Sequence, residues 1–313
     1  MILGQRPGWL VLAAALCAGA PAFAQEKPEE VRGYGVTVTS VTLAVTVQDG
    51  RGRYVNDLAQ ADFTVTENGV PRSITRFSHD FNAPLSLTIL LDVSGSMALQ
   101  DKMAECRSSL GRFVADLLKP SDEAALLIFA DGEVEVASGY SEDKTRLLEV
   151  LARTEAYGKT ALNDAVAASP EYARKGRHEK KALLLVTDGI ENDSQYSPSQ
   201  AAEVARKVDV PIYTVGYKIP LDEQYLSKHK RAPGLTSAGI VESLESFSRA
   251  TGGKAFFANT PVELAAALGE VRRETGHQYI LGYTSHSSLE GGFTSIKVLT
   301  KNRKHRVRAR EGY

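Results

Sequence analysis

Two stretches of this chain, residues 85–91 and 182–186, are predominantly apolar, and each runs within two residues onto an aspartate, Asp92 and Asp188. They lack the strict alternation of a strand with one wet face, and both fall far short of a membrane span, which needs about 20 residues. What remains is a strand covered on both faces. Residues 124–130 and 211–217 are runs of the same kind, and helical periodicities over 102–118, 144–152, 161–173, 201–207, 241–250 and 262–275 fall between and after them. Such alternation predicts an α/β fold, a doubly wound and mostly parallel sheet of Rossmann type, with a β extension at 133–137 folded back on the second run.

The first of these strands ends in Asp92-Val93-Ser94-Gly95-Ser96. Open α/β sheets bind their ligands at the carboxyl ends of the strands. One carboxylate and two hydroxyls suit a small, hard cation such as Mg²⁺, and the motif holds no thiol or imidazole that would favour zinc. Taken alone, the same residues serve equally to cap the following helix. Two further segments bear on that choice: Thr160, placed just after Gly158 at the start of a helical pattern, and Asp188, followed by Gly189 at the end of another buried strand.

The three segments, in this order and at these places, resemble the von Willebrand factor A (VWA) domain with its metal-ion-dependent adhesion site, over about residues 85–274. The resemblance implies that Asp92, Ser94, Ser96, Thr160 and Asp188 share one divalent cation, Mg²⁺ with Mn²⁺ or Ca²⁺ as alternatives. It further implies that an open position on the ion accepts an Asp or Glu from a partner protein. An ion held by two carboxylates and three neutral hydroxyls stays electrophilic toward an incoming oxygen. The expected function is an exported, metal-dependent protein-binding module for adhesion or scaffolding, and not an enzyme. In some relatives the last helix shifts on ligand binding, which here would be the helix at 262–275.

Rival readings differ at named residues. A phosphatase with an aspartyl nucleophile calls for a second Asp where this chain has Ser94, and neither Ser94 nor Ser96 sits in a Gly-x-Ser-x-Gly elbow. None of the histidines, at 79, 178, 229, 277, 286 and 305, lies in a motif that marks a catalytic base. A purely structural metal is the third reading. Asn163 and Asp164 are expected to cap a helix or hydrogen-bond one layer out from the metal, and Asn192 and Asp193 to be loop residues. Tyr157, Tyr196 and the basic loop at 218–239 are candidates for touching a partner.

Length and composition frame the rest. With 313 residues, 43% hydrophobic and 24% charged, the chain has the make-up of an ordinary globular protein, and its net charge of −1 gives no electrostatic reason to expect nucleic acid or an anionic membrane. Residues 1–24 read as a signal peptide: Arg6, an apolar stretch of roughly 12 residues, then Ala22-Phe23-Ala24. The mature chain is expected to be periplasmic or secreted, without a transmembrane segment, and with Cys106 as a single buried thiol. A flexible leader at 25–35 precedes a β segment at 36–82, the VWA-like region at 83–275 and a second β segment at 276–313. Because a lone hairpin is marginal in water, the two β segments are expected to pair into one β-sandwich-like domain. Strands are expected at 36–39 and 41–47, with an Asn68-Gly69 hairpin returning through 74–77. The residues Asp57, Leu58 and 63–69 resemble a bacterial group of exported VWA-related proteins.

Overall fold

The computed structural model describes residues 39–220, 235–285 and 292–313. The expected signal peptide, the leader and the basic residues Lys228, His229, Lys230 and Arg231 lie outside them. The chain leads with β1 (Thr39–Gln48), β2 (Phe63–Glu67), β3 (Val70–Arg72) and β4 (Ile74–Ser78). Then come β5 (Leu85–Asp92), β6 (Glu123–Ala130), β7 (Glu133–Ser141), β8 (Lys180–Thr187), β9 (Ile212–Tyr217) and β10 (Ala255–Ala258). The chain closes with β11 (Gln278–Ser285), β12 (Ile296–Thr300) and β13 (Arg306–Arg308). Helices α1 (Lys102–Arg112), α2 (Thr145–Arg153), α3 (Leu162–Ala173), α4 (Pro198–Ala205), α5 (Ser237–Thr251) and α6 (Pro261–Gly276) connect the middle strands or follow them. Among the described residues no helix is long and apolar enough to cross a membrane.

The central sheet has the order β10-β9-β8-β5-β6-β7, parallel except for β7 at one edge. Every residue of β5 is buried. Its alternation sends Leu85, Leu87, Ile89 and Leu91 to a core shared with Met103, Cys106, Leu110, Leu264 and Leu268, while Leu90 joins Leu162, Val166, Leu244 and Phe247 on the opposite face. Its two hydroxyl-bearing members are matched: Ser86 Oγ donates to Glu123 Oε1 at 2.6 Å, and Thr88 Oγ1 meets the Tyr140 hydroxyl. Two elements differ from expectation. The α-helical part of the predicted 102–118 helix stops at Arg112 and continues as one π turn, Phe113–Leu117. A sixth strand, β10, stands where the sequence predicts no element, because four residues are too few to show a period.

Chain from both sides of this region builds two smaller sheets, β13-β1-β11-β4 and β12-β2-β3. Leu43 pairs with Leu281 and Val45 with Tyr279 in the first, and Val65 with Val298 in the second. Val41, Leu43, Val45, Phe63, Val65, Ile296 and Val298 form their shared core. Asn68 and Gly69, with φ of 49° and 78°, make the expected two-residue turn. The strand that returns, however, is Val70–Arg72, and Ile74–Ser78 leaves for the other sheet, beside β11. A three-residue strand satisfies the hairpin, so the next apolar pair is free to switch sheets. β1 covers the strand expected at 41–47, and residues 36–38 of the strand expected at 36–39 lie outside the described residues.

Lys180, 2% exposed, opens β8 with its Nζ 3.5 Å from the Gly276 carbonyl and above the Phe81 ring. Burial pushes its ammonium from 10.5 down to about 8, with Lys119 and Arg272 adding repulsion against the pull of Asp80 and Asp122. A folded chain that holds this proton less tightly than the unfolded chain gains stability as pH rises from 8 to 10.5 and carries the whole penalty below 8. Lys180→Met is therefore expected to stabilise the protein by about 1–2 kcal/mol at neutral pH. Urea unfolding at pH 7 and pH 10 checks this: the advantage should shrink at the higher pH, and a gain independent of pH would make it a packing effect.

Candidate metal centre

Strand register places the two aspartates. Leu91 lies beside Val186 in the parallel pair β5/β8, so both strands deliver their last residues to the same edge of the sheet. There Thr187 Oγ1 donates to Asp92 Oδ2 at 2.5 Å, and both Asp92 and Asp188 are fully buried. Asp92 Oδ1 accepts the Ser94 N–H at 2.9 Å, which turns the chain back across the strand end. The hydroxyls of Ser94 and Ser96 come within 3.2 Å of each other. Ser94 stands at the head of the 3₁₀ turn that begins at Gly95 but makes no side-chain capping bond, so its hydroxyl is not serving as a helix cap.

Thr160 arrives on a second loop bound to the first. Gly95 N–H donates to the Gly158 carbonyl at 3.0 Å, and Tyr157 N–H to the Val93 carbonyl at 2.6 Å. A Cβ at position 95 would come within 3.1 Å of that Gly158 oxygen, and Gly158 itself takes φ of +70°, so the two glycines permit this approach. The loop after β8 is fastened in turn: Asn192 and Asp193 N–H groups donate to the Thr160 carbonyl, and Thr160 N–H donates to Asn192 Oδ1 at 3.0 Å. Asn192, read from sequence as an ordinary loop residue, is thus the clasp between two of the three loops.

Asn163 and Asp164 serve the same scaffold. The first N–H groups of α3 find acceptors in Glu191 and Ser194, while the Asp164 carboxylate accepts from Gln195 and Tyr196 N–H and Asn163 Nδ2 donates to the Tyr196 carbonyl. They shape the loop around the centre and do not cap their own helix.

Burial, followed by the charge of Asp188, raises the Asp92 carboxyl above the ordinary carboxylate range against the hydrogen bonds from Ser94 and Thr187. Facing them is a group the sequence did not single out. Lys102, the first residue of α1, is 2% exposed, and its Nζ lies 2.7 Å from Asp188 Oδ2. The only hint in the sequence was a lysine at a helix N-terminus, where the macrodipole favours acidic residues. When both buried carboxylates are ionised, the one ammonium leaves a negative charge uncompensated. Hard oxygen donors around uncompensated charge fit a divalent cation. Among the described residues no three His, Cys, Asp or Glu gather into a metal-binding group, so such an ion depends on the hydroxyls as well. Leu99, Tyr157 and Tyr196, each more than 40% exposed, sit on these same three loops.

The sequence profile of the von Willebrand factor type A domain matches residues 86–252. The chain belongs to that family. It is 25% identical over 142 residues to an uncharacterized protein of Synechocystis sp., a match covering 44% of this chain and 33% of that one, so the chain spans about a third of that relative's length. Among solved structures it is similar to the pilus adhesin SpaC of Lactobacillus rhamnosus GG in its open conformation, with 9% identity and a TM-score of 0.50 over 85% of this chain and 47% of that. It is also similar to the vWF domain of the type V pili tip protein Mfa5 of Porphyromonas gingivalis, with 13% identity and a TM-score of 0.48 over 61% and 94% of the two chains. These are likenesses of fold.

Proposed function

We propose that this VWA protein is an exported protein-binding module of adhesion type. Its contact point is one divalent cation, Mg²⁺ or alternatively Mn²⁺ or Ca²⁺, held by Asp92, Ser94, Ser96, Thr160 and Asp188. The observation that carries the reading is the meeting of two fully buried carboxylates with serine hydroxyls that cap nothing, at the carboxyl edge of a parallel sheet. When bound, the ion supplies a Lewis-acidic position for an Asp or Glu of a partner protein. Asp92 and Asp188 would balance its charge, and the three neutral hydroxyls would supply further oxygen donors while leaving one position open for the partner's carboxylate. Leu99, Tyr157 and Tyr196 offer apolar area for a protein surface, since exposed aromatic side chains are favoured at interfaces.

Asp92 is poorly arranged for the rival role of nucleophile. Both its oxygens are engaged, by the Ser94 N–H and the Thr187 hydroxyl, and Ser94 stands where a phosphatase of that kind would have an acid. In calorimetric titration of chelator-stripped protein, Mg²⁺ or Mn²⁺ is expected to bind once per chain to the wild type and not at all, up to about millimolar ion, to Asp92→Ala. A folded wild type that takes up no ion would sink the metal reading.

A further inference from the structure

Lys102 is driven into the centre by the turn that precedes it. Gln100 and Asp101 both adopt left-handed backbone, φ of 54° and 57°, a conformation that non-glycine residues rarely take twice in succession. The turn is held from outside: Lys218 Nζ donates to the Gln100 carbonyl at 3.0 Å and pairs with Glu105 Oε2 at 2.5 Å. An ammonium at the positive end of a helix and out of reach of water is doubly unfavourable unless an anion receives it, and Asp188 is that anion. Strained backbone, burial and ion pair all place this one positive charge where a cation belongs.

We propose that Lys102 is an internal counter-cation that competes with the divalent ion for Asp188, so that metal binding requires displacing its ammonium. The proposal rests on the metal reading of the site and adds its regulation. With Lys102 on Asp188 the centre carries no net positive charge and offers a partner's carboxylate no attraction. A divalent ion that displaces the ammonium leaves the centre net positive, with Lys102 still tethered nearby on α1. Partner binding is then metal-dependent through the sign of the local field as well as through coordination. Monovalent ions, which add no more charge than the lysine, gain nothing by displacing it.

The test is Mn²⁺ binding by calorimetry to the chelator-stripped full chain, comparing wild type, Lys102→Gln and Lys102→Arg, with folding of each followed by circular dichroism. Removing the competitor in Lys102→Gln is expected to tighten Mn²⁺ binding by about tenfold or more. Lys102→Arg, whose guanidinium can grip Asp188 with two hydrogen bonds, is expected to bind Mn²⁺ about tenfold more weakly than the wild type. Should Lys102→Gln not fold without metal, the arginine variant decides. Equal affinities across the set, or weaker binding by Lys102→Gln, overturn the proposal and leave the metal site standing. Folded wild type and Lys102→Gln that both ignore Mn²⁺ overturn the metal reading and the competition together, making Lys102 a permanent partner of Asp188.

Discussion

Replacing Glu274 by glutamine is expected to destabilise the protein by about 2 kcal/mol, because it takes away the buried carboxylate that receives the partly exposed Arg308 and Lys254. Glu274 lies near the end of α6 and is fully buried; Arg308 of β13 donates to its Oε2, and Lys254 Nζ sits 3.3 Å from its Oε1. This cluster ties α6 to the sheet made by both ends of the described chain. Glutamine keeps the shape and removes the charge, so urea unfolding measures the electrostatic share directly. An independent readout comes from Tyr54, whose phenol is pushed up to about 12 by burial and then by the negative charge of Glu274. In Glu274→Gln that titration should move back toward 10. If stability falls while the tyrosine does not move, the loss comes from altered packing and not from the carboxylate. The same variant bears on motion of α6: hydrogen exchange of this helix should quicken when its charged link to β13 is cut.

How much of this was legible in the sequence follows from which signals are local. β5 and β8 announce themselves, since a strand buried on both faces has to be apolar nearly throughout, and the aspartates that end them mark the edge where a parallel sheet binds. Thr160 was placed by its glycine and the helix behind it. The pairing of the two β segments followed from neither being able to bury a face alone, although where the chain changes sheets did not. Glu67–Val70 register satisfies the Asn68-Gly69 turn in three residues, and nothing local says that Ile74 then pairs with Tyr283 in another sheet. β10 escaped notice because its partner β9 is distant in sequence and a parallel neighbour leaves no hairpin signature. Lys102 and Asn192 are the instructive misses at the site. Each acts through one long-range contact, to Asp188 in the first case and to Thr160 in the second, and a single polar side chain carries no periodicity from which such a contact can be read.

The two aspartates look alike in sequence and should behave differently when substituted. In chelated protein Asp188→Asn is expected to lose about 3–5 kcal/mol, because it leaves the Lys102 ammonium buried without its anion. Asp92→Asn removes a carboxylate whose close partners are the neutral Ser94 N–H and Thr187 hydroxyl, and it is expected to change stability far less. Both variants should lose the divalent ion, so metal binding alone does not separate them. A double-mutant cycle does. Lys102→Met placed on Asp188→Asn removes the stranded charge, and most of the lost stability should return, giving a coupling of about 2–3 kcal/mol between positions 102 and 188. Chemical unfolding with chelator present reads all four corners of the cycle. A coupling near zero would mean that the ammonium finds water or another acceptor once Asp188 is gone. The ion pair would then be incidental to the fold, and a divalent ion arriving at this edge would have no bound lysine to displace.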